Sequence, residues 1–390
     1  MNLMTQPRRR GKKRLAAALA AVATVFLVSA PAASAASDPL AGGATTIELG
    51  QGFLKKAGKR GVKVLGVSPA SVGGRTVVLP VAQGALDPLN GQGTVVHAGE
   101  ISFKHGKRSA RVGGLVLDTA TASLNGLVAG LPVKFASVEG LSFSRNGFGV
   151  NLAIAKLALT GSAAKLLNAK LGFSGKKAKG KKTYAAGASK KKGKAVPKKP
   201  FEGKQVLGAA SSATQPLAVT ILPSGKAKLA PDLETVTKLF LAGATGEPIP
   251  PAELEPGPPP AVNLPIAGGI LAPNGSAGVL QTLGGEKLSK GPVTTITSNL
   301  WVDLGLKVTT AEVEVTGFPE APGKLGRVPN ALLDLSAATV GSDPAARTVS
   351  VANAVLRMSA EGAATLNALY GTDFKAGDPL GSISFTAQAQ

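Results

Sequence analysis

Residues 79–88 read LPVAQGALDP and residues 264–273 read LPIAGGILAP, one ten-residue pattern displaced by 185 positions. At the same displacement Leu115-Val116-Leu117-Asp118 falls on Leu300-Trp301-Val302-Asp303. Further along, Val150, Leu157, Thr160, Leu167, Asn168, Ala169 and Gly172 fall on Val349, Leu356, Ser359, Leu366, Asn367, Ala368 and Gly371 at a displacement of 199. Phe201 and Leu207-Gly208 then fall on Phe374 and Leu380-Gly381 at 173. Self-similarity sustained over such a length marks a tandem duplication, with copies over 38–213 and 214–390. The step up to 199 coincides with a Pro/Gly-rich stretch, Gly317 to Gly323, in the second copy. The step down to 173 places an insertion in the first copy, within residues 173–200, FSGKKAKGKKTYAAGASKKKGKAVPKKP. Its Lys, Gly and Ala show no apolar periodicity, which predicts a solvated loop.

Inside each copy, VNLAIAKLALT (150–160) and TVSVANAVLRMS (348–359) alternate at period two, as ISFKHGKRSARVGGLVLD (101–118) does in part. This is the pattern of half-buried strands. Thr160 and Ser359 stand as N-caps before short amphipathic segments that stop at Gly172 and Gly371. Helices are also expected at Gln51–Lys56 and Asp232–Phe240, and PIPPAELEPGPPP (248–260) should form a stiff extended connection. A chain of 390 residues is long enough for two cores, and 50 Gly, 27 Pro and 4% aromatics suit short strands joined by many turns. The expected fold is mainly β, with two tandem antiparallel β-sandwich-like domains, each carrying short helices.

The N-terminal 35 residues read as a secretory signal peptide: basic residues over 1–14, the apolar run LAAALAAVATVFLVSA over 15–30, and Ala33-Ser34-Ala35 at the cleavage-site spacing. No later stretch reaches the length of a membrane span, so the mature chain is expected to be secreted or associated with the cell surface. The formal charge of +22 is unevenly placed. Six cations (Arg8, Arg9, Arg10, Lys12, Lys13, Arg14) belong to the leader and eleven lysines to 173–200, so the remainder of the chain is nearly neutral.

There is no cysteine and there are two histidines, His97 and His105, which removes thiol chemistry, Cys-ligated metals and most His-based catalysis. No catalytic residue and no metal site is expected. On a straight strand His97 and His105 would lie about 26 Å apart, too far to share an ion. Glu312 and Glu314 share one side of a strand and read as a solvated face. Asp118 and Asp303 end equivalent strands and read as turn formers. Tyr370, opposite Leu171, and Trp301, opposite Val116, read as core residues. The insertion lysines, chiefly Lys176, Lys177, Lys181, Lys182, Lys190, Lys191 and Lys192, are candidates for holding an anionic cell-wall polymer. Beyond Phe173 at its start, the stretch has no arginine and one aromatic, Tyr184, which argues against specific nucleic-acid binding.

The two copies resemble the HtaA-type domains of secreted and surface haem-acquisition proteins of Gram-positive actinobacteria. Three stretches carry the resemblance: Gly93-Thr94-Val95-Val96-His97-Ala98-Gly99-Glu100-Ile101-Ser102-Phe103, the strand LVLDTATASLNGLV after it, and Met358 to Leu380 through Tyr370 and Phe374. The resemblance implies a β-sandwich, haem as ligand, a tyrosine near the domain start on the iron, and assisting histidines. His97 matches a histidine position of the family and is the candidate haem contact. Where the tyrosine is expected, this chain has Gly52-Phe53-Leu54-Lys55-Lys56 and Leu239-Phe240-Leu241. The expectation is a non-enzymatic binding protein for haem or a porphyrin, with retention on anionic polymers as the alternative.

Overall fold

The computed structural model describes residues 37–173, 199–319 and 323–390, over which the period-two segments become strands. The leader and the seven candidate lysines of the insertion lie outside the described residues. The first copy runs β1 (Asp38–Leu49), α1 (Gln51–Gly58), β2 (Val62–Val67), β3 (Ser71–Gly73), β4 (Thr76–Leu86), β5 (Gly93–His97), β6 (Glu100–His105), β7 (Arg108–Asp118), β8 (Ser123–Val128), β9 (Leu131–Asn146), β10 (Gly149–Leu159), α2 (Gly161–Leu171) and β11 (Val206–Pro216). The second runs β12 (Val219–Ile221), β13 (Lys226–Pro231), α3 (Leu233–Leu241), β14 (Thr245–Ile249), β15 (Glu253–Glu255), β16 (Ala261–Leu271), β17 (Gly278–Thr282), β18 (Gly285–Lys290), β19 (Val293–Asp303), β20 (Val308–Thr316), β21 (Gly323–Asp334), β22 (Thr339–Asp343), β23 (Thr348–Met358), α4 (Ala360–Tyr370) and β24 (Pro379–Gln388).

Each sheet closes on itself. In the first, the order β7-β5-β4-β1-β11-β10-β9-β8 returns to β7 through the β7–β8 pairing, and β6 with β2 extends outward from β7. In the second, β16-β13-β24-β23-β21-β20-β19-β17 returns to β16, because β17 pairs with both β19 and β16. The pairings are antiparallel, and strands matched by the sequence displacements occupy the same ring positions. The expected mainly-β, antiparallel architecture is therefore present, with each sheet drawn into a barrel. Closure leaves no free edge along the ring. The stretch 248–260, expected as a bare connection, instead contributes strand: β14 pairs with β18 and β15 with β16. The 16-residue β9 has two counterparts, β21 and β22, so the additional residues of the second copy are spread beyond the 317–323 turn.

Period-two burial fills each barrel. Leu79, Leu117, Leu152 and Leu157 in the first and Leu264, Leu280, Val302 and Val351 in the second are buried, each worth about 2 kcal/mol of transfer free energy. Thr160 Oγ1 accepts from Ala163 N, and α2 ends on Gly172 in the left-handed conformation. Ser359 Oγ accepts from Gly362 N, and α4 ends likewise on Gly371. The barrels touch: Phe148, from the β9–β10 turn, belongs to the second core, Arg145 donates to the Gln390 carbonyl, and Asp38 Oδ1 accepts from Thr220 N at 3.0 Å and Thr220 Oγ1 at 3.2 Å.

Candidate functional site

The duplication supplies a counterpart in the second copy for His97, His105 and Asp118. His97 ends β5 opposite Val81, as Thr282 ends β17 opposite Ile266. Its ring is inside the first barrel, 4% exposed. A carbonyl only accepts, so Nδ1 donates to Leu115 O at 3.0 Å. Nε2 then faces the Thr45 hydroxyl at 2.6 Å, and Ser212 Oγ lies 2.8 Å further along the chain of contacts. In the second barrel Thr282 Oγ1 donates to Leu300 O at 3.0 Å, so a threonine satisfies the carbonyl that His97 satisfies in the first. The void beside His97, lined by Thr45, Leu79 and Leu157 among others, is about 10 Å³, at most the room of one water. In this arrangement His97 has no free nitrogen and no path to a ligand.

Burial lowers the His97 pKa from its ordinary 6.5. A folded value below the unfolded one means that the unfolded chain binds the extra proton. The stabilisation is complete above about pH 6.5, falls as pH drops through that value, and levels off below the depressed folded pKa. His97→Thr, which installs the residue of the second barrel, should remove this acid-side slope and lower stability at pH 7.5 by about 2 kcal/mol through the lost ring volume. Urea midpoints at pH 7.5 and 5.5 test it; an unchanged slope in the variant would assign the acid sensitivity elsewhere.

His105 is on a different strand, separated from His97 by the turn at Ala98-Gly99. Its Nδ1 donates to Leu171 O at 3.2 Å, the last carbonyl of α2, and its ring packs on Phe173. Lys290 does the same in the second barrel, donating to Tyr370 O at 2.7 Å. Both side chains thus satisfy a helix C-terminus, where positive character is favoured. Tyr370 is fully buried, its hydroxyl 2.7 Å from Thr295 Oγ1, which agrees with its reading as core. Asp118 Oδ1 accepts from Thr121 N and Asp303 Oδ1 from Leu306 N, the expected turn roles. Glu312 accepts from Asn299 Nδ2 at 3.0 Å on an exposed face. Among the described residues, no group of three or more His, Asp or Glu is placed to hold a metal ion.

Trp301 departs from its expected core position. It points outward between the buried Leu300 and Val302, and its ring is covered by the Arg327 guanidinium at 4.0 Å.

The feature that the candidate residues did not include is the outer face of α3. Register matching sets α1 over α3, with Gly50 at the position of Asp232. Phe53 and Ala57 bury the inner face of α1 against Phe103 and Phe201, with Phe103 and Phe201 ring centroids 5.4 Å apart. By register the matching positions in the second copy are Thr235, Leu239, Leu288 and Phe374, of which Leu239 is partly buried in a small cluster with Phe374, Met358 and Ala363. Outside, Leu233, Phe240 and Leu241 are 62%, 74% and 78% exposed, where α1 carries Gln51, Gly58 and Lys59. The helix is held from one side by Lys238, which reaches Glu234, Asp373 and Asp378 and lies over the Phe374 ring.

The residues present do not supply an iron ligand for haem at either helix: α1 and α3 contain no tyrosine or histidine, His97 is enclosed, and Lys238 is ion-paired. No helix among the described residues is long and apolar enough to cross a membrane.

No protein-family model and no curated protein matches the chain. Among solved structures it is similar to the C-terminal domain of HtaA from Corynebacterium glutamicum, at 13% identity and a TM-score of 0.34, over 44% of this chain and 99% of that one. It is also similar to a domain-swapped dimer of a histidine-to-alanine variant of that domain, at 14% identity and a TM-score of 0.30, over 40% and 93% of the two chains.

Proposed function

We propose that the chain is an exported, non-enzymatic protein of two barrel domains, divided near residue 214, and that the second binds a flat apolar ligand of the porphyrin class on the outer face of α3. The observation that carries this reading is the exposure of Leu233, Phe240 and Leu241 on one side of a short helix, since clustered apolar side chains left in water mark a contact surface. Planar rings match such a face, and the ligand class is the one implied by the resemblance of the two copies to haem-acquisition domains. With no iron ligand at α3, capture rests on apolar contact, and metal-free protoporphyrin IX should bind as well as haem.

Titration of the chain with haem and with protoporphyrin IX, followed by absorbance and porphyrin fluorescence, tests this. Both should bind, and Phe240→Glu with Leu241→Glu should weaken both at least about 30-fold, from the loss of two apolar contacts. Absence of a spectral change with either compound, or binding indifferent to the α3 substitutions, would sink the proposal. The alternative reading, retention on anionic polymers through Lys176, Lys177, Lys181, Lys182, Lys190, Lys191 and Lys192, rests on residues outside the described ones.

A further inference from the structure

On the outer face of β19, β20 and β21, Arg327 is held in a built setting. Its guanidinium donates to Asn299 O at 2.9 Å and Thr310 O at 3.2 Å, lies over the Trp301 ring with Cζ 4.0 Å from the centroid, and approaches Glu312 Oε1 at 3.5 Å. Both carbonyls sit at irregularities in the ladder, one between Ser298 and Trp301 and one between Thr309 and Thr310. Such bulges turn backbone groups out of the strand pairing.

The first barrel repeats this backbone without its occupant. Irregularities fall between Gly113 and Val116 and between Leu124 and Asn125. Gly114 has the left-handed φ of Asn299, 55° against 51°. Register places Val116 for Trp301, Asn125 for Thr310, Leu127 for Glu312 and Pro132 for Arg327. With glycine and short side chains in these places, the first barrel has an open depression of about 370 Å³ bounded by Gly114, Asn125, Leu127, Pro132 and Lys134. By register the carbonyls of Gly114 and Asn125 correspond to those of Asn299 and Thr310 that receive Arg327, Leu127, Pro132 and Val133 offer apolar surface, and Lys134 stands on the rim.

We infer that this depression is a binding site for the guanidinium of an arginine side chain carried by a partner polypeptide, received as the second barrel receives its own Arg327. In the second barrel one nitrogen, Nη1, donates to both carbonyls while the guanidinium covers a ring; a guanidinium has a planar, weakly hydrated face to rest on an apolar surface, which an ammonium lacks. The site is on a different barrel from the α3 face and stands independently of ligand capture there.

The experiment is a titration of the full chain, labelled with ¹⁵N-glycine, with the capped tripeptide Ala-Arg-Ala. Amide shifts are expected at Gly113, Gly114 and Gly126, with the matching Ala-Lys-Ala peptide at least about fivefold weaker. Leu127→Glu, which adds the carboxylate of the second barrel at an exposed position, should tighten binding about fivefold. Pro132→Arg, which fills the site from within, should weaken it at least about tenfold. No response at these glycines, an equal response to the lysine peptide, or binding unaffected by Pro132→Arg overturns the inference. Should Pro132→Arg fail to fold, the gain in Leu127→Glu decides: its absence likewise overturns the inference.

Discussion

Gly208→Ala is expected to destabilise the first barrel by about 4 kcal/mol, and Gly381→Ala to do the same to the second, combining a disallowed backbone conformation with a steric collision. Gly208 has φ 155° and Gly381 φ 152°. A Cβ on Gly208 would stand 1.9 Å from Glu48 O, and one on Gly381 2.3 Å from Ala230 O. Both collisions are with the backbone of the paired strand, β1 or β13, so no side-chain rotation relieves them. The substitutions strike the ladders that join β11 to β1 and β24 to β13, where each ring brings its last strand against its first. Chain-wide circular dichroism reports both variants. The single tryptophan, Trp301, lies in the second barrel and follows that half in particular. Denaturation midpoints that stay at the wild-type value in both would show that the ladders tolerate a side chain there.

The second large effect concerns Asp38, at the contact between the barrels. It is 4% exposed, and burial, only partly offset by the Thr220 hydrogen bonds and by Arg145, raises its carboxyl from 3.8 to about 6; Asp87 nearby adds to the rise. Arg145 in turn faces Arg347, Asp38 and Asp87. The folded pKa exceeds the unfolded one, so the folded state holds the proton more tightly. This contribution is fully present below pH 3.8 and is lost as pH rises through about 6. At neutral pH the buried carboxylate therefore burdens the fold by about 3 kcal/mol relative to its protonated form. Asp38→Asn keeps an oxygen for Thr220 and carries no charge. It should raise stability at pH 7.5 by about 2 kcal/mol and leave it nearly unchanged at pH 3.5. A variant that loses stability at pH 7.5 would show that the pairing with Arg145 outweighs desolvation. His97 slopes the opposite way with pH, so the two groups offset each other where their titration ranges overlap.

Much of this architecture is readable from the residues because the duplication prints it twice. The shared displacement of LPVAQGALDP and LVLD fixes equivalent strands, and Thr160 with Gly172, like Ser359 with Gly371, bounds a helix by local chemistry alone. Ring closure is less accessible: alternation at period two reports that one face is buried, and it is equally satisfied by a flat sandwich. Trp301 reads as core because it aligns with the apolar Val116, yet the bulge between Ser298 and Trp301 interrupts simple face counting at that point. His97 draws notice as a rare residue, while its partners Thr45 and Ser212 come from strands far away in sequence. The outer face of α3 had a signal of its own. LETVTKLFL holds more large apolar residues than one narrow helix face can bury, and the matching first-copy positions are Gln51, Gly58 and Lys59.

The pairing of β1 with β11 has a kinetic consequence. Ile47 finds its neighbour in Ala210, and Ala227 finds its neighbour in Phe385. Neither ring can be completed until its final strand is available, and contacts of such wide sequence separation make barrier crossing slow. A chain delivered from its N-terminus cannot complete the native ring until nearly all of a half is present. Slow folding of this kind is compatible with the export proposed above.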